Sequence, residues 1–192
     1  MLKAKIVDFF RYLYGFFLIC IALFIILSLA TFSIADNSFL VKTSNLNTNL
    51  MGIVGSYTAS FLIYTFGSLS YLITLFLIIY SIMILLKKNP KYFFIRIFVF
   101  FFGLTLLPQL FIFWDWNYSY YNGLEPWGEL TKVIFNLHNS ESLSYSLSFI
   151  GTIFILSSIN IFSLLKFSKL SFSFFQKDIA SEKYKNVIKK EP

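Results

Sequence analysis

The side chains that usually carry chemistry are few and scattered in this chain of 192 residues. His138 is its one histidine and Cys20 its one cysteine. A single Cys can neither close an internal disulfide nor build a structural zinc site. His138 has no cysteine near it and no paired carboxylate in sequence, so a surface or interface role is expected for it. Phosphate-cradling glycine loops and the common zinc-hydrolase and serine-nucleophile motifs are all missing from the sequence. No catalytic, cofactor-binding or metal-binding residue is therefore expected, and the chain as given is not expected to be an enzyme.

The spacing does offer a chemistry of close packing. Gly52, Ser56 and Ser60 recur every four residues, with Gly55 and Ala59 beside them. Ser144, Ser148 and Thr152 repeat the interval later. Small residues let helix backbones approach each other in lipid, where apolar side chains gain little by leaving the solvent. Gly52 and Gly55 are expected at close backbone contacts, and Gly67 at a bend. Packing within one bundle and self-association between copies are both open on this pattern.

Such packing needs helices in a bilayer, and the composition demands one. The chain is 57% hydrophobic and only 13% charged, with 26 Phe and 12 Tyr. A soluble domain of this size could not hide that surface. Disorder, a disulfide scaffold and a coiled coil are excluded at the same step. Uncharged blocks occupy residues 12–35, 43–86, 97–114 and 142–165. Three of these fit one spanning helix of ~20 residues each. As a single helix the block 43–86 would be ~66 Å long, far more than a ~30 Å hydrocarbon core needs.

Charge sidedness decides that block. Of the 16 basic residues, all but Lys42 and Lys132 fall in segments 1–11, 87–96 and 166–192. If these segments are cytoplasmic, each uncharged block crosses once. The expected fold is an all-α integral bundle of four transmembrane helices with both termini cytoplasmic. The spans are placed at about 12–31, 68–86, 92–113 and 143–165, within a domain of residues 1–166. Residues 50–66 then become an interfacial or packed extension, broken from the second span at Gly67. Pro108 is expected to kink the third span, and Arg96 to snorkel near its cytoplasmic end. The first span is expected to remain as an anchor, because its apolar run from Leu13 to Ala30 exceeds the core of a signal peptide.

The second outside loop carries Trp114, Trp116 and Trp127 among several tyrosines. These are expected to form an aromatic belt at the bilayer surface or a partner-binding surface. The stretch 126–137 could lie as a short helix on the membrane. Residues 167–192 read as a basic juxtamembrane tail, or the start of a linker, held to anionic lipid. No acid lies inside a span, which argues against a carrier or channel. A wet cavity lined by paired polar groups would favour that alternative; a dry, Phe-filled interior would count against it.

One stretch carries a resemblance. It reads Thr31-Phe32-Ser33-Ile34-Ala35-Asp36-Asn37-Ser38-Phe39, then Asn49-Leu50-Met51-Gly52-Ile53-Val54-Gly55-Ser56-Tyr57-Thr58-Ala59, then Phe66-Gly67. This resembles the N-terminal four-helix membrane domain of FtsK/SpoIIIE-type DNA translocases. In that family a Ser-Tyr-Ser-Pro-x-Asp-Pro-Ser-like turn closes the first helix, followed by Asn-x-x-Gly-x-x-Gly and a Phe-Gly pair. Ile34 and Asn37 stand where prolines are usual, and Ser60 where an Asp commonly follows the Ala. The resemblance implies a membrane anchor and assembly module acting in cell division and chromosome segregation at a bacterial inner membrane. It implies hexamer formation, division-site membrane partners, and contact with DNA only through an ATP-driven motor, expected in a further C-terminal region. A stand-alone membrane-protein assembly factor is the other alternative.

Overall fold

A computed structural model of the chain describes residues 2–43, 46–87, 92–113, 127–138 and 140–159. Among them every regular element is helical: α1 (Leu2–Ala30), α2 (Gly52–Phe66), α3 (Tyr71–Leu85), α4 (Phe93–Leu106), α5 (Gln109–Phe113), α6 (Glu129–His138) and α7 (Glu141–Ile159). A single 3-10 turn, Gly67–Ser70, joins α2 to α3. Three stretches are long and apolar enough to cross a membrane: Lys5–Ala30, Gly52–Leu85 and Glu141–Ile159. The apolar Phe93–Leu106 is shorter. Alone α4 is about 21 Å long, short of a ~30 Å bilayer core, and it is followed by the turn at Leu107–Pro108 and α5. The residues 160–165 of the fourth expected span and the tail 167–192 lie outside the described residues.

Side-chain pairings give the directions. Lys87 Nζ lies 2.7 Å from Asp8 Oδ2, and Ser81 Oγ donates to the Gly15 carbonyl at 2.6 Å. At the other end Leu29 packs with Ala59 and Ile63, and Tyr71 joins them. So α3 runs antiparallel to α1. Gly15 and Ser28 are about 20 Å apart along α1, whereas their partners Ser81 and Gly55 would be about 39 Å apart on one straight helix. The chain therefore folds at Gly67–Ser70, and α2 crosses the last turns of α1 instead of extending α3. Gly67 takes φ +62° there, a left-handed backbone that favours glycine. The break expected at Gly67 is present.

Rings join α3 to α4. Phe76 stacks on Phe100 at 4.3 Å, Tyr80 meets Phe93 at 5.1 Å, and Phe66 meets Phe101 at 5.5 Å. With Ile73, Leu104 and Ile155 these residues form the main core. Helix α7 returns against α4: the Arg96 guanidinium and the Tyr80 hydroxyl both donate to the Ser158 carbonyl, at 3.5 and 2.7 Å. Helices α1, α3, α4 and α7 thus alternate in direction. Helices α2, α5 and α6 gather at the end where α1 and α4 finish.

Candidate functional site

The densest polar structure in the described residues is the turn between α1 and α2. Asp36 is 1% exposed there. Its Oδ1 accepts from Thr48 N (2.8 Å) and Thr48 Oγ1 (2.9 Å), and its Oδ2 from Asn49 N (3.1 Å). Local sequence sets this up: Ser33 Oγ accepts from Ala35 N and the Ser33 carbonyl from Asp36 N, turning the carboxyl back toward the returning strand of chain. Asn49 then spans two helix ends. Its Nδ2 donates 2.8 Å to the Ser28 carbonyl in the last turn of α1, and its Oδ1 accepts from Met51 N at the start of α2. Terminal carbonyls and amides of this kind have no partner inside their own helices, so Asn49 satisfies one from each. Thr31 Oγ1 adds a bond from Leu50 N at 3.1 Å.

A second strip of bonds ties the loop to the face of α2. The Asn37 carbonyl accepts from Ser56 Oγ at 2.8 Å, and Ser60 Oγ accepts from Phe39 N at 2.9 Å. Asn47 and Asn37 exchange two further bonds, of 3.0 and 3.3 Å. Each such bond is worth about 0.5–1.5 kcal/mol net, but leaving its buried partner unmet costs about 1–3 kcal/mol. The turn therefore fixes position and register between α1 and α2. The Asp36 and Asn49 acceptors are occupied by neighbours, which suits them to holding helices, whereas Asn37 Oδ1 is buried without a hydrogen-bond partner.

Gly55, Ser56 and Ala59 are buried on the inner face of α2. A Cβ on Gly55 would land on Met51 Cβ and Asn49 Oδ1, and 3.0 Å from Ser28 Oγ, so its lack of a side chain makes room for the Asn49 bridge. Gly52 differs from the expectation. It is exposed, and nothing lies within 4 Å of where its Cβ would be. It is needed for its φ of +65°, which starts α2, and not for close approach. The interval in α7 also shifts: Ser144 and Ser148 are buried, but Thr152 is exposed and bonded to the Ser148 carbonyl, and Gly151 faces inward instead.

A family model described as the 4TM region of DNA translocase FtsK/SpoIIIE matches residues 8–180. The chain belongs to this family. No curated protein and no solved structure matches it. Of the motif positions that carry the resemblance to the FtsK/SpoIIIE 4TM region, Asp36, Asn49 and Gly55 build the turn, whereas Phe66 and Gly67 lie at the α2–α3 break. Two departures from the family pattern also find a physical reason in this FtsK/SpoIIIE-type chain. Asn37 donates its backbone N–H to Asn47 Oδ1, a bond that a proline could not make. Ser60 accepts a backbone N–H where the family's acid could do the same.

Of the aromatic loop residues, Trp127 stacks on Phe111 at 5.0 Å with the rings 15° from parallel. Trp114 and Trp116 lie outside the described residues. Several contacts in this 4TM region were not legible from spacing. A Cβ on Gly103 would lie 3.0 Å from the Gly151 carbonyl oxygen, and one on Gly151 only 2.6 Å from Leu107 N, so α4 and α7 meet backbone to backbone. Gly128, at φ +79°, brings the start of α6 against Thr65 and Gly67 at the α2–α3 break. Gln109, fully buried, donates to the Thr131 carbonyl at 3.0 Å. His138 holds α6 to α7, with Nδ1 2.8 Å from the Ile134 carbonyl and Nε2 3.1 Å from Ser144 Oγ. Pairing of the small residues in two separate spans was the available signal for the α4–α7 crossing.

Proposed function

We propose that this chain is the membrane anchor and assembly module of a DNA translocase that acts in cell division and chromosome segregation. The observation that carries the reading is the family match, which spans nearly all of the described helices. In this reading the four antiparallel apolar helices each cross a bacterial inner membrane once, with both termini in the cytoplasm. The basic residues support that side: Lys5 and Arg11 on α1 lie at the end where Lys87 and Arg96 also sit. ATP hydrolysis and DNA contact we assign to a motor region outside this chain. The module would bring motors together as a homo-oligomer among division-site membrane proteins.

The interior supports an anchor over a small carrier or channel. Its main cluster is Phe66, Ile73, Phe76, Tyr80, Phe100, Leu104 and Ile155, an aromatic packing, and the buried hydroxyls of Ser28, Ser70, Thr74, Ser81 and Ser158 are spent on backbone carbonyls. Expressed as a fluorescent fusion in dividing bacteria, the chain is expected to concentrate at the septum and to crosslink to further copies of itself. Even distribution around the cell membrane, with only monomer on crosslinking, would overturn the proposal.

A further inference from the structure

Helix α6 divides its ten residues among three faces. Thr131 is fully buried, and Ile134, Phe135 and His138 are half-buried on the same side, toward the rest of the chain. The Gln109–Thr131 bond and the His138–Ser144 contact fix that side. At 3.6 residues per turn, Leu130, Val133 and Leu137 fall together on one flank. They are 43, 54 and 82% exposed. Glu129, Lys132 and Asn136 fall on the neighbouring flank, its centre about 100° from that of the apolar one. A helix surrounded by water gains nothing from three exposed aliphatic side chains in a row. One sunk in hydrocarbon could not tolerate Glu129 and Lys132 on its other flank. Apolar one way, polar the other and packed on the third side is the pattern of a helix at the boundary between the two solvents.

Its surroundings agree. Gly128 seats the start of α6 against the α2–α3 break, at the end of the bundle where α1 and α4 finish. Trp127, one residue earlier, stacks on Phe111, and Trp is the side chain that favours the headgroup level. The helix that follows, α7, also exposes apolar side chains, among them Leu143 and Phe149. We propose that α6 is an interfacial lipid-binding helix whose Leu130, Val133 and Leu137 flank inserts into the acyl-chain edge of the leaflet at that end. Lipid is the occupant because the chain is a membrane region whose apolar helices expose aliphatic and aromatic side chains, and because Glu129 and Lys132 stand off this flank. The inference rests on membrane embedding alone and is independent of any role in division.

The test uses the chain with Cys20→Ala, reconstituted in vesicles of phosphatidylethanolamine and phosphatidylglycerol. Six single variants follow: Glu129→Cys, Leu130→Cys, Lys132→Cys, Val133→Cys, Asn136→Cys and Leu137→Cys. Each is labelled with a membrane-impermeant maleimide and scaled to its labelling after solubilisation. A matching set carrying a bimane fluorophore is quenched with lipids brominated on the acyl chain. The Leu130, Val133 and Leu137 variants are expected to label at least about tenfold more slowly than the other three, since maleimide reacts with the thiolate, which hydrocarbon disfavours and the impermeant reagent does not reach. The same three are expected to be quenched by brominated chains. Equal labelling of all six would overturn the proposal by placing the apolar flank in water. Slow labelling without quenching would overturn it by covering the flank with protein.

Discussion

The α1–α2 turn and the α4–α7 crossing solve one problem by opposite means. Both must hold helices together in a solvent that is as apolar as the side chains, so burial of hydrocarbon supplies little of the attraction. At the turn, hydrogen bonds do the holding. Asp36 takes three of them, and Asn49 joins the carbonyl of Ser28 to the amide of Met51. At the crossing the side chains are removed: Gly103 and Gly151 let the backbones meet, with Ile155 closing the side of the contact. The first device is directional and sets register. The second depends on shape alone, and it fails as soon as one atom is added at a place where only backbone could yield.

The difference predicts unequal responses to small substitutions, read as changes in unfolding free energy in mixed micelles of denaturing and mild detergent. The largest effect is expected for Gly151→Ala. Its new Cβ would lie within 3 Å of Leu107 N and Leu106 C, which are backbone atoms that cannot swing aside. A loss of about 3 kcal/mol, the upper end of overpacking costs, is expected. A neutral result would show that α4 and α7 can part without penalty, and the contrast with the turn would collapse.

Asp36→Asn comes next, with about 2 kcal/mol lost. The new amide cannot accept from both Thr48 and Asn49, so a buried donor is left unmet. Should this substitution cost more than Gly151→Ala, the polar turn and not the glycine crossing would be the stronger clamp. Gly52→Ala is expected to cost only about 1 kcal/mol, because its Cβ meets open space and only the left-handed φ resists it. Gly52→Asn should recover part of that loss, since Asn tolerates this conformation; no recovery would mean that crowding, not the backbone angle, excludes side chains there.

The smallest effect belongs to the exposed Asp8–Lys87 pair. The hydrogen bond that Lys87 Nζ donates to the Asp8 carboxylate, helped by the negative charge there, raises the pKa of Lys87 above the ordinary Lys value. A raised folded-state value stabilises the fold fully below the unfolded pKa and is lost as pH rises through the folded one. The stability gap between the parent chain and Asp8→Asn should therefore be flat from neutral to mildly alkaline pH and close only in strong alkali. A gap that instead widened with pH would contradict the pair's assignment.

Charge spacing made much of the arrangement readable. The uncharged blocks located the apolar helices, and the length of the 43–86 block required a break, which falls at Gly67. Of the small residues spaced at intervals of four, Ser56 and Ser60 are buried on the inner face of α2, because helical spacing is a local property that one turn already defines. The same reasoning misjudged Gly52, where the requirement is a backbone angle and not a neighbour, and picked Thr152 in place of Gly151 one residue earlier. The aromatic seam of Phe76 on Phe100 was equally hidden among 26 phenylalanines of similar hydropathy.

By itself, then, the sequence determined the solvent and the apolar segments, because these follow from transfer free energies that add up along the chain. The tertiary structure alone decided which backbones touch and where buried polar groups find partners. Gly103 opposite Gly151, Gly128 on Thr65 and Gly67, and Tyr80 on the Ser158 carbonyl each join residues far apart in the chain. Such contacts depend on distances of a few tenths of an ångström between helices, and no local pattern of residue types encodes them.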